Sequence, residues 1–153
     1  MIKIKPLITS LLISLGGGAI VGFLTRNSMS VYDDIFLPKF APPAVLFPIA
    51  WAILYTLMGI SAYIIYESMS SLKDKALTVY FVQLIINFLW PFVFFGGRMF
   101  YLAFVILIIL CFFVIWMIKL FYDIKPAAAY FNIPYILWLT FAAYLNLSIA
   151  LLN

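Results

Sequence analysis

The chain has no histidine and only one cysteine, so several kinds of functional site can be excluded at once. A Cys/His zinc site and a disulfide framework each need more of these residues than the chain provides. Haem held by an axial histidine is excluded for the same reason. The single cysteine, Cys111, lies within an unbroken apolar run, where we expect it to act as a small hydrophobic side chain.

Charge is also scarce, because 9% of the residues are charged while 68% are apolar. A soluble domain carries about 25% charged residues. Such a chain cannot cover its surface in water, and the composition therefore indicates an integral membrane protein. The net charge of +4 is spread over short clusters in the loops, so the sequence predicts no nucleic-acid partner.

Five apolar segments approach or exceed the roughly 20 residues that a membrane-spanning helix needs. They cover residues 6–25, 44–66, 76–95, 99–121 and 127–152. All charged residues lie outside these segments or near their ends, and no repeat or long linker divides the chain. The sequence therefore predicts an all-α membrane protein with one domain, a five-transmembrane-helix bundle over residues 1–153.

The lysines and arginines of the loops predict the orientation of this bundle. Six lie at one end of the predicted helices and three at the other: Lys3, Lys5, Lys73, Lys75, Lys119 and Lys125 against Arg26, Lys39 and Arg98. Cytoplasmic loops carry the excess of basic residues, which predicts a cytoplasmic N terminus. The first segment is longer than the apolar core of a signal peptide, and we expect it to be retained as a helix.

Two of the predicted connections between helices differ in length and composition. The stretch "FGGRM", residues 95–99, predicts a tight glycine turn between the third and fourth helices. The loop 26–43 is much longer and runs into "LPKFAPPAVLFPIAW", which contains four prolines. Long loops commonly cover binding sites, and clustered proline makes a chain stiff. We expect this loop to cover a pocket, although the prolines are also typical of a helix start.

The third segment carries a polar and aromatic stripe on one face. Gln83, Asn87, Trp90 and Phe94 are separated by four, three and four residues, which places them on one side of a helix. Pro91 cannot donate to the carbonyl of Asn87. Unmet polar groups in hydrocarbon are costly, so this face is expected to point inward. Spacing alone leaves open whether Asn87 contacts a ligand or bonds a neighbouring helix.

The second and fifth segments carry similar stripes, formed by Pro48, Trp51 and Tyr55 and by Trp138, Ala142 and Leu145. Aromatic stripes are more often core packing than ligand sites. Three stripes, each with a tryptophan, favour a pocket for a flat aromatic ligand. In the first segment, the pair Gly18 and Gly22 is consistent with a dimer face or with close packing inside the bundle.

Three motifs together resemble one family. "PKFAPPAVLFPIAWAILYTLMG", "QLIINFLWPFVFF" and "PYILWLTFAAYLN" are similar to the translocator protein / tryptophan-rich sensory protein family (TspO/MBR), also called peripheral-type benzodiazepine receptors. The resemblance covers nearly the whole chain and suggests a bacterial member. It implies a five-helix bundle, often a homodimer. It also implies a pocket for porphyrins and benzodiazepine-receptor drugs such as isoquinoline carboxamides.

The resemblance also implies which residues form that pocket. The ligand-binding set would be Tyr32, Pro42, Trp51, Tyr55, Asn87, Trp90, Trp138, Ala142 and Leu145. Bacterial members are linked to light-dependent breakdown of protoporphyrin IX, in which Trp51 and Trp138 would be the reactive groups. No metal and no required cofactor is implied. No basic residue follows Tyr144, so the cholesterol site of animal members is not predicted.

The sequence thus favours a receptor-like membrane protein that binds tetrapyrroles and promotes photo-oxidative porphyrin degradation. No carboxylate lies in the middle of a predicted helix, so an acid/base catalytic pair is not expected. Two alternatives remain at this point: a transporter of tetrapyrroles or similar amphiphiles, and a regulatory subunit that senses ligand occupancy.

Overall fold

The computed structural model describes residues 2–153, and within that range it contains helices and connecting turns but no strand. Five helices are long and apolar enough to cross a membrane. They are α1 (Ile4–Ser28), α2 (Leu46–Tyr66), α3 (Lys73–Gly96), α4 (Phe100–Ile124) and α5 (Pro126–Leu152). The predicted all-α, five-transmembrane-helix fold is confirmed, and the protein is an integral, multi-pass membrane protein.

The packed core lies among α2, α3, α4 and α5. Its largest fully buried side chains include Met58 on α2, Tyr80 on α3, Phe121 on α4 and Leu139 on α5. Apolar side chains face lipid as well as the core, so helix association here depends on close packing and interhelical hydrogen bonds. The fourth helix is buried on one side and exposes apolar side chains on the other, as expected for a helix in contact with lipid.

Helix α5 is interrupted near its start and is held there by polar contacts. It consists of Pro126–Tyr130 and Ile133–Leu152, joined by a turn at Asn132. The side-chain Nδ2 of Asn132 donates to Ser61 Oγ (2.6 Å), and Ser61 Oγ in turn donates to the Ala128 carbonyl (2.8 Å). This interaction joins the start of α5 to the C-terminal part of α2.

Helix α1 lies at the edge of the bundle, and only Ser14 and Thr25 on it are buried. It contains a π-helical turn, Leu12–Gly16. A Cβ atom on Gly18 would overlap the Tyr55 ring, whereas one on Gly22 would meet nothing within 4 Å. Gly18 therefore serves close packing between α1 and α2 within the chain. Ser10 and Ser14 also donate to the Gly59 and Tyr55 carbonyls of α2 (2.6 and 2.8 Å), so the first half of α1 packs closely on α2. Past Gly18, the second half of α1 leaves space beside α2 and α3.

The turn between α3 and α4 lies within the predicted residues 95–99, although its glycines do not adopt positive φ. Gly97 keeps helical backbone angles, and its N–H donates to the Phe92 carbonyl (2.9 Å) in the last, π-helical turn of α3. The residue with positive φ is Arg98, at 50°. Gly96 ends α3 and Gly97 is its C-cap, so the tight connection predicted at residues 95–99 is present, with Arg98 as its left-handed residue.

The long loop is ordered against the same end of the bundle. It contains a short helix, Val31–Asp34, in which Val31 and Tyr32 are buried. The Tyr32 hydroxyl donates to the Pro42 carbonyl (2.8 Å). Asn153 exchanges two hydrogen bonds with the Phe36 backbone, at 2.9 and 3.0 Å. The loop is therefore fastened both to itself and to the end of α5.

Prolines in this region do two different things. Pro38 begins a turn closed by the Ala41 N–H (2.9 Å), and Pro43 accepts from the Leu46 N–H (2.9 Å) at the entrance to α2. Pro48 lies in the first turn of α2, where a missing N–H leaves no hydrogen bond unmade. The helix-start interpretation applies to Pro48, while Pro38 shapes the loop.

Candidate functional site

A cavity of about 400 Å³ lies between α1, α2 and α3, and we call it the main cavity. Aromatic side chains of α2 and α3 form one side, and small residues of α1 form the other. Its lining includes Gly18, Ala19 and Gly22 on α1, Phe47, Trp51 and Tyr55 on α2, and Asn87 and Trp90 on α3. Four of the predicted ligand-binding residues therefore share one cavity: Trp51, Tyr55, Asn87 and Trp90.

Two rings on α2 give the main cavity a flat wall. Trp51 and Tyr55 are one helical turn apart, and their rings stack with centroids 5.2 Å apart and planes 27° apart. Tyr55 is buried while Trp51 is partly exposed. The cavity exists because the opposite helix presents glycine and alanine at this height, which leaves room above the indole.

Asn87 is fixed by hydrogen bonds at the deep side of the main cavity. Its Oδ1 accepts from the Tyr55 hydroxyl (2.5 Å), and its Nδ2 donates to the Tyr135 hydroxyl (2.9 Å). Tyr135 donates in turn to Gln83 Oε1 (2.8 Å). This buried network joins α2, α3 and α5. Asn87 lines the cavity and also bonds the neighbouring helices α2 and α5. The two roles that the spacing left open, a cavity residue and an interhelical hydrogen bond, are therefore both present.

Trp90 is held in a similar way. Its indole Nε1 donates to Asn146 Oδ1 (3.1 Å), and Asn146 Nδ2 donates to the Phe100 carbonyl (2.8 Å). The Trp90 ring also stacks on Phe94, with centroids 4.8 Å apart. A ring held on one edge and one face has a single orientation, so Trp90 forms a fixed wall.

A second, much smaller cavity of about 20 Å³ lies beyond this wall, beneath the loop. Tyr32, Ala142 and Leu145 line it, and we call it the small cavity. Its size is about that of one water molecule. These three predicted residues are therefore brought together, but apart from Trp51 and Asn87. Pro42 lines neither cavity and contributes its carbonyl to Tyr32.

Trp138 also lies apart from the main cavity. It packs edge-on against Phe47, with ring centroids 6.1 Å apart, and contacts Phe141 at 5.7 Å. It lines neither the main nor the small cavity. The expectation that Trp51 and Trp138 face one common space is therefore not met: Phe47, which packs against Trp138, lines the main cavity, and Trp138 does not.

Phe47 is the functional candidate that sequence reasoning missed. It lines both cavities, as do Trp90 and Phe95, and it also packs against Tyr32 with ring centroids 5.3 Å apart. The sequence does contain a pattern that predicts this position, because Phe47, Trp51 and Tyr55 follow one another at intervals of four residues and so share one helix face. The sequence pattern also did not predict that α1 lines the cavity, because the pair Gly18 and Gly22 indicated only helix packing.

Comparisons with known proteins agree with this architecture. The model of the TspO/MBR family matches residues 10–152. The chain belongs to the TspO/MBR family. It is 36% identical to the tryptophan-rich protein TspO of Archaeoglobus fulgidus over 99% of both chains. It is 32% identical to the tryptophan-rich sensory protein of Cereibacter sphaeroides, over 96% of this chain and 91% of that one.

The human translocator protein is also similar, with 31% identity over 84% of this chain and 79% of its own length. The resemblance that the three sequence motifs indicated is thus confirmed. At the level of the family, TspO/MBR membership gives the chain a receptor or transporter role in the membrane.

Proposed function

We propose that this TspO/MBR protein binds tetrapyrroles, with protoporphyrin IX as ligand or substrate, and benzodiazepine-receptor-type drugs in the main cavity. The observation that carries the proposal is the stacked pair Trp51 and Tyr55, which faces small α1 residues across about 400 Å³. Ligand sites commonly occupy about 300–1,000 Å³ and are mostly apolar with a few fixed polar groups. Asn87 supplies such a group.

A macrocycle needs more width than the main cavity alone offers, and Phe47 provides a way to obtain it. The ring lines both the main and the small cavity, together with Trp90 and Phe95, and packs against Trp138. Rotation of Phe47 would join these spaces beneath the loop that carries Tyr32. The ligand would then lie between Trp51 and Trp138, with Ala142 and Leu145 at its edge. Each ring contact adds about 0.5–1.5 kcal/mol beyond area burial.

The carboxylates of a porphyrin would lie at the loop end of the cavity. Arg26 follows the cavity residue Thr25 at the end of α1, and Lys39 lies in the loop; both are exposed. A cation pairs with a carboxylate through a charge-assisted hydrogen bond. This arrangement would orient the macrocycle with its apolar edge toward the centre of the bundle.

Photo-oxidation would begin when light excites the bound porphyrin beside an indole. The excited ring takes one electron from Trp51 or Trp138, which leaves the indole as a radical cation. Dioxygen, the oxidant, adds to the reduced ring, and the adduct returns one electron to the indole radical cation as the ring opens. Both oxygen atoms then end in the ring-opened product and the indole is regenerated. No acid/base pair is needed for this reaction, so the role of the protein is to hold the ring against the indoles.

Titration and illumination with protoporphyrin IX test the proposal. Purified protein is titrated by absorbance, then illuminated in air, with Trp51→Phe, Trp138→Phe and the double variant compared. Trp116→Phe is the matched control, because Trp116 lies on α4 and packs against Phe112 and Phe113. We expect Asn87→Ala to weaken binding and the double variant to slow porphyrin loss. Unchanged binding and unchanged loss in these variants would refute the proposal.

A transport function is the second candidate, favoured by the name of the human relative, translocator protein. It would apply to tetrapyrroles or similar amphiphiles, and flux of a porphyrin into liposomes separates it from binding alone. A sensing role is favoured by the relative from Cereibacter sphaeroides, which is named a sensory protein. Co-purification of partners with and without porphyrin tests that role.

The proposal includes a location in a bacterial cell membrane with the N terminus in the cytoplasm, and assembly as a homodimer. The six lysines at the N-terminal end of the bundle support this orientation. A cysteine placed at residue 153 should react with a membrane-impermeant reagent from outside the cell. Labelling from the inside alone would reverse the orientation, and light scattering in detergent tests the dimer.

A further inference from the structure

A cavity of about 420 Å³ lies at the end of the bundle opposite the loop, and the proposed function does not use it. We call it the N-terminal cavity, and its lining includes Lys5, Thr9 and Ile13 of α1, Tyr66 of α2, and Tyr80 and Phe81 of α3. It is as large as the main cavity and separate from it along α1, since the main cavity begins at Leu15.

The apolar part of this cavity reaches into the hydrocarbon region. Tyr80 and Phe81 lie about two turns, or roughly 10–12 Å, beyond the start of α3 at Lys73. Ile13 is at a similar depth on α1, and the Phe81 and Ile13 side chains are both exposed. A groove with this shape is open to the lipid and long enough to hold part of an acyl chain.

The rim of the cavity carries a cation without an ion-pair partner. Within residues 2–153, Lys3 pairs with Glu67 (2.8 Å), while Lys5 forms no ion pair. The whole end of the bundle is cationic, with six lysines against three carboxylates: Lys3, Lys5, Lys73, Lys75, Lys119 and Lys125 against Glu67, Asp74 and Asp123. Anionic groups are therefore attracted to this end, and to the rim at Lys5 in particular.

Tyr80 supplies a second, independent observation. Its side chain is 2% exposed, and within the described part of the chain its hydroxyl forms no hydrogen bond of good geometry. The polar side chain beside it is Ser14, whose hydroxyl already donates to the Tyr55 carbonyl (2.8 Å). A buried hydroxyl without a partner is unfavourable, because it has lost its bonds to water. The Tyr80 side chain lines the N-terminal cavity, while its hydroxyl is closed off from solvent. A ligand that carries an acceptor oxygen would therefore reach the hydroxyl, and remove this cost, once the lining side chains shift around it.

We propose that the N-terminal cavity binds one anionic phospholipid. Its phosphate pairs with Lys5, an acyl chain lies along Ile13 and Phe81, and an ester carbonyl accepts a hydrogen bond from Tyr80. Basic pockets between transmembrane helices are typical sites for anionic headgroups. The negative headgroup complements the cationic rim at Lys5. In a phospholipid the ester lies between the headgroup and the acyl chain, and Tyr80 lies at the corresponding position between the rim and the apolar groove.

Native mass spectrometry of the full chain in detergent tests this site with two probes, dioleoyl phosphatidylglycerol and dioleoyl phosphatidylcholine. We expect the first lipid bound to be phosphatidylglycerol, and Lys5→Gln to reduce its affinity about fivefold, the effect of one basic residue near an anionic surface. Lys39→Gln at the other end is the matched control and should change nothing. Equal loss in both variants, or no loss in Lys5→Gln, would overturn the proposal.

Thermal unfolding gives a second readout that does not depend on the charge of Lys5. Phosphatidylglycerol should raise the Tm of the parent protein. Tyr80→Phe should be at least as stable without lipid, because it removes an unpartnered hydroxyl, but should gain less Tm from the lipid. Thr9→Trp should fill the cavity and reduce binding of both lipids. If the lipid raised the Tm of Tyr80→Phe as much as that of the parent protein, the proposed ester contact would be wrong. If Thr9→Trp bound the lipid as well as the parent protein, the lipid would not lie in this cavity.

Discussion

The indole nitrogen of Trp90 on α3 donates a hydrogen bond to the side-chain oxygen of Asn146 on α5, over 3.1 Å. Asn146 is buried and donates onward to the Phe100 carbonyl at the start of α4. Three helices therefore meet at one amide, beside the wall between the two ligand-site cavities. In a membrane this polar contact helps to position helices that apolar packing alone would leave free to slide.

Replacement of Asn146 by leucine should loosen this junction. Two interhelical hydrogen bonds disappear, each typically about 0.6 kcal/mol in a membrane bundle, so the expected loss of stability is about 1 kcal/mol. Thermal unfolding in detergent measures it. Thr140→Val is the control, because Thr140 is exposed and bonds only the Ile136 carbonyl of its own helix. An Asn146→Leu variant as stable as the control would show that the junction contributes nothing.

Two glycines of α1 offer a matched pair with opposite outcomes. Gly18→Ala places a methyl group into the Tyr55 ring, and overpacking of this kind costs about 1–3 kcal/mol. Gly22→Ala meets nothing within 4 Å and should stabilise the helix by up to about 1 kcal/mol. Unfolding temperatures of the two variants should therefore move in opposite directions. A loss in Gly22→Ala of the same size would indicate a dimer contact at that face.

The spans could be predicted from the sequence because hydropathy and length decide them. The predicted segment 44–66 compares with Leu46–Tyr66 in the structure, and 76–95 compares with Lys73–Gly96. Ends differ by up to three residues, since flanking lysines and loop residues continue the helices. The π-helical turns at Leu12–Gly16 and Phe92–Gly96 could not be predicted, because they depend on the packing of the neighbouring helices.

The candidate site was predictable only in part, for a geometric reason. Spacing shows which residues share a helix face, and so it grouped Trp51 with Tyr55 and Asn87 with Trp90. It does not show which neighbour that face meets. Whether Trp138 reaches the same space as Trp51 depends on the Phe47 ring, whose position follows from contacts with Tyr32 and Trp138 rather than from spacing.

Removal of the Phe47 ring tests its role as a partition. Phe47→Ala should join the main and small cavities and expose Trp138 to a ligand, so we expect tighter binding of protoporphyrin IX. Quenching of Trp138 fluorescence by bound porphyrin, measured in a chain whose other tryptophans are phenylalanine, should increase. Phe36→Ala is a suitable control, because Phe36 is an exposed loop residue. Weaker binding in Phe47→Ala would show that the ring is a ligand contact instead.

Alkaline pH should release the loop that covers the small cavity. Burial raises the pKa of the Tyr32 phenol above its ordinary value of 10.0, because the phenolate is poorly solvated there. The folded chain then holds this proton more tightly than the unfolded chain. The docking energy is fully present below about pH 10 and declines as the pH rises through the raised pKa. Protease cleavage of the loop should accelerate in that range, whereas Tyr32→Phe, which cannot ionise, should show no such step. A step of the same size in Tyr32→Phe would assign the transition to another group.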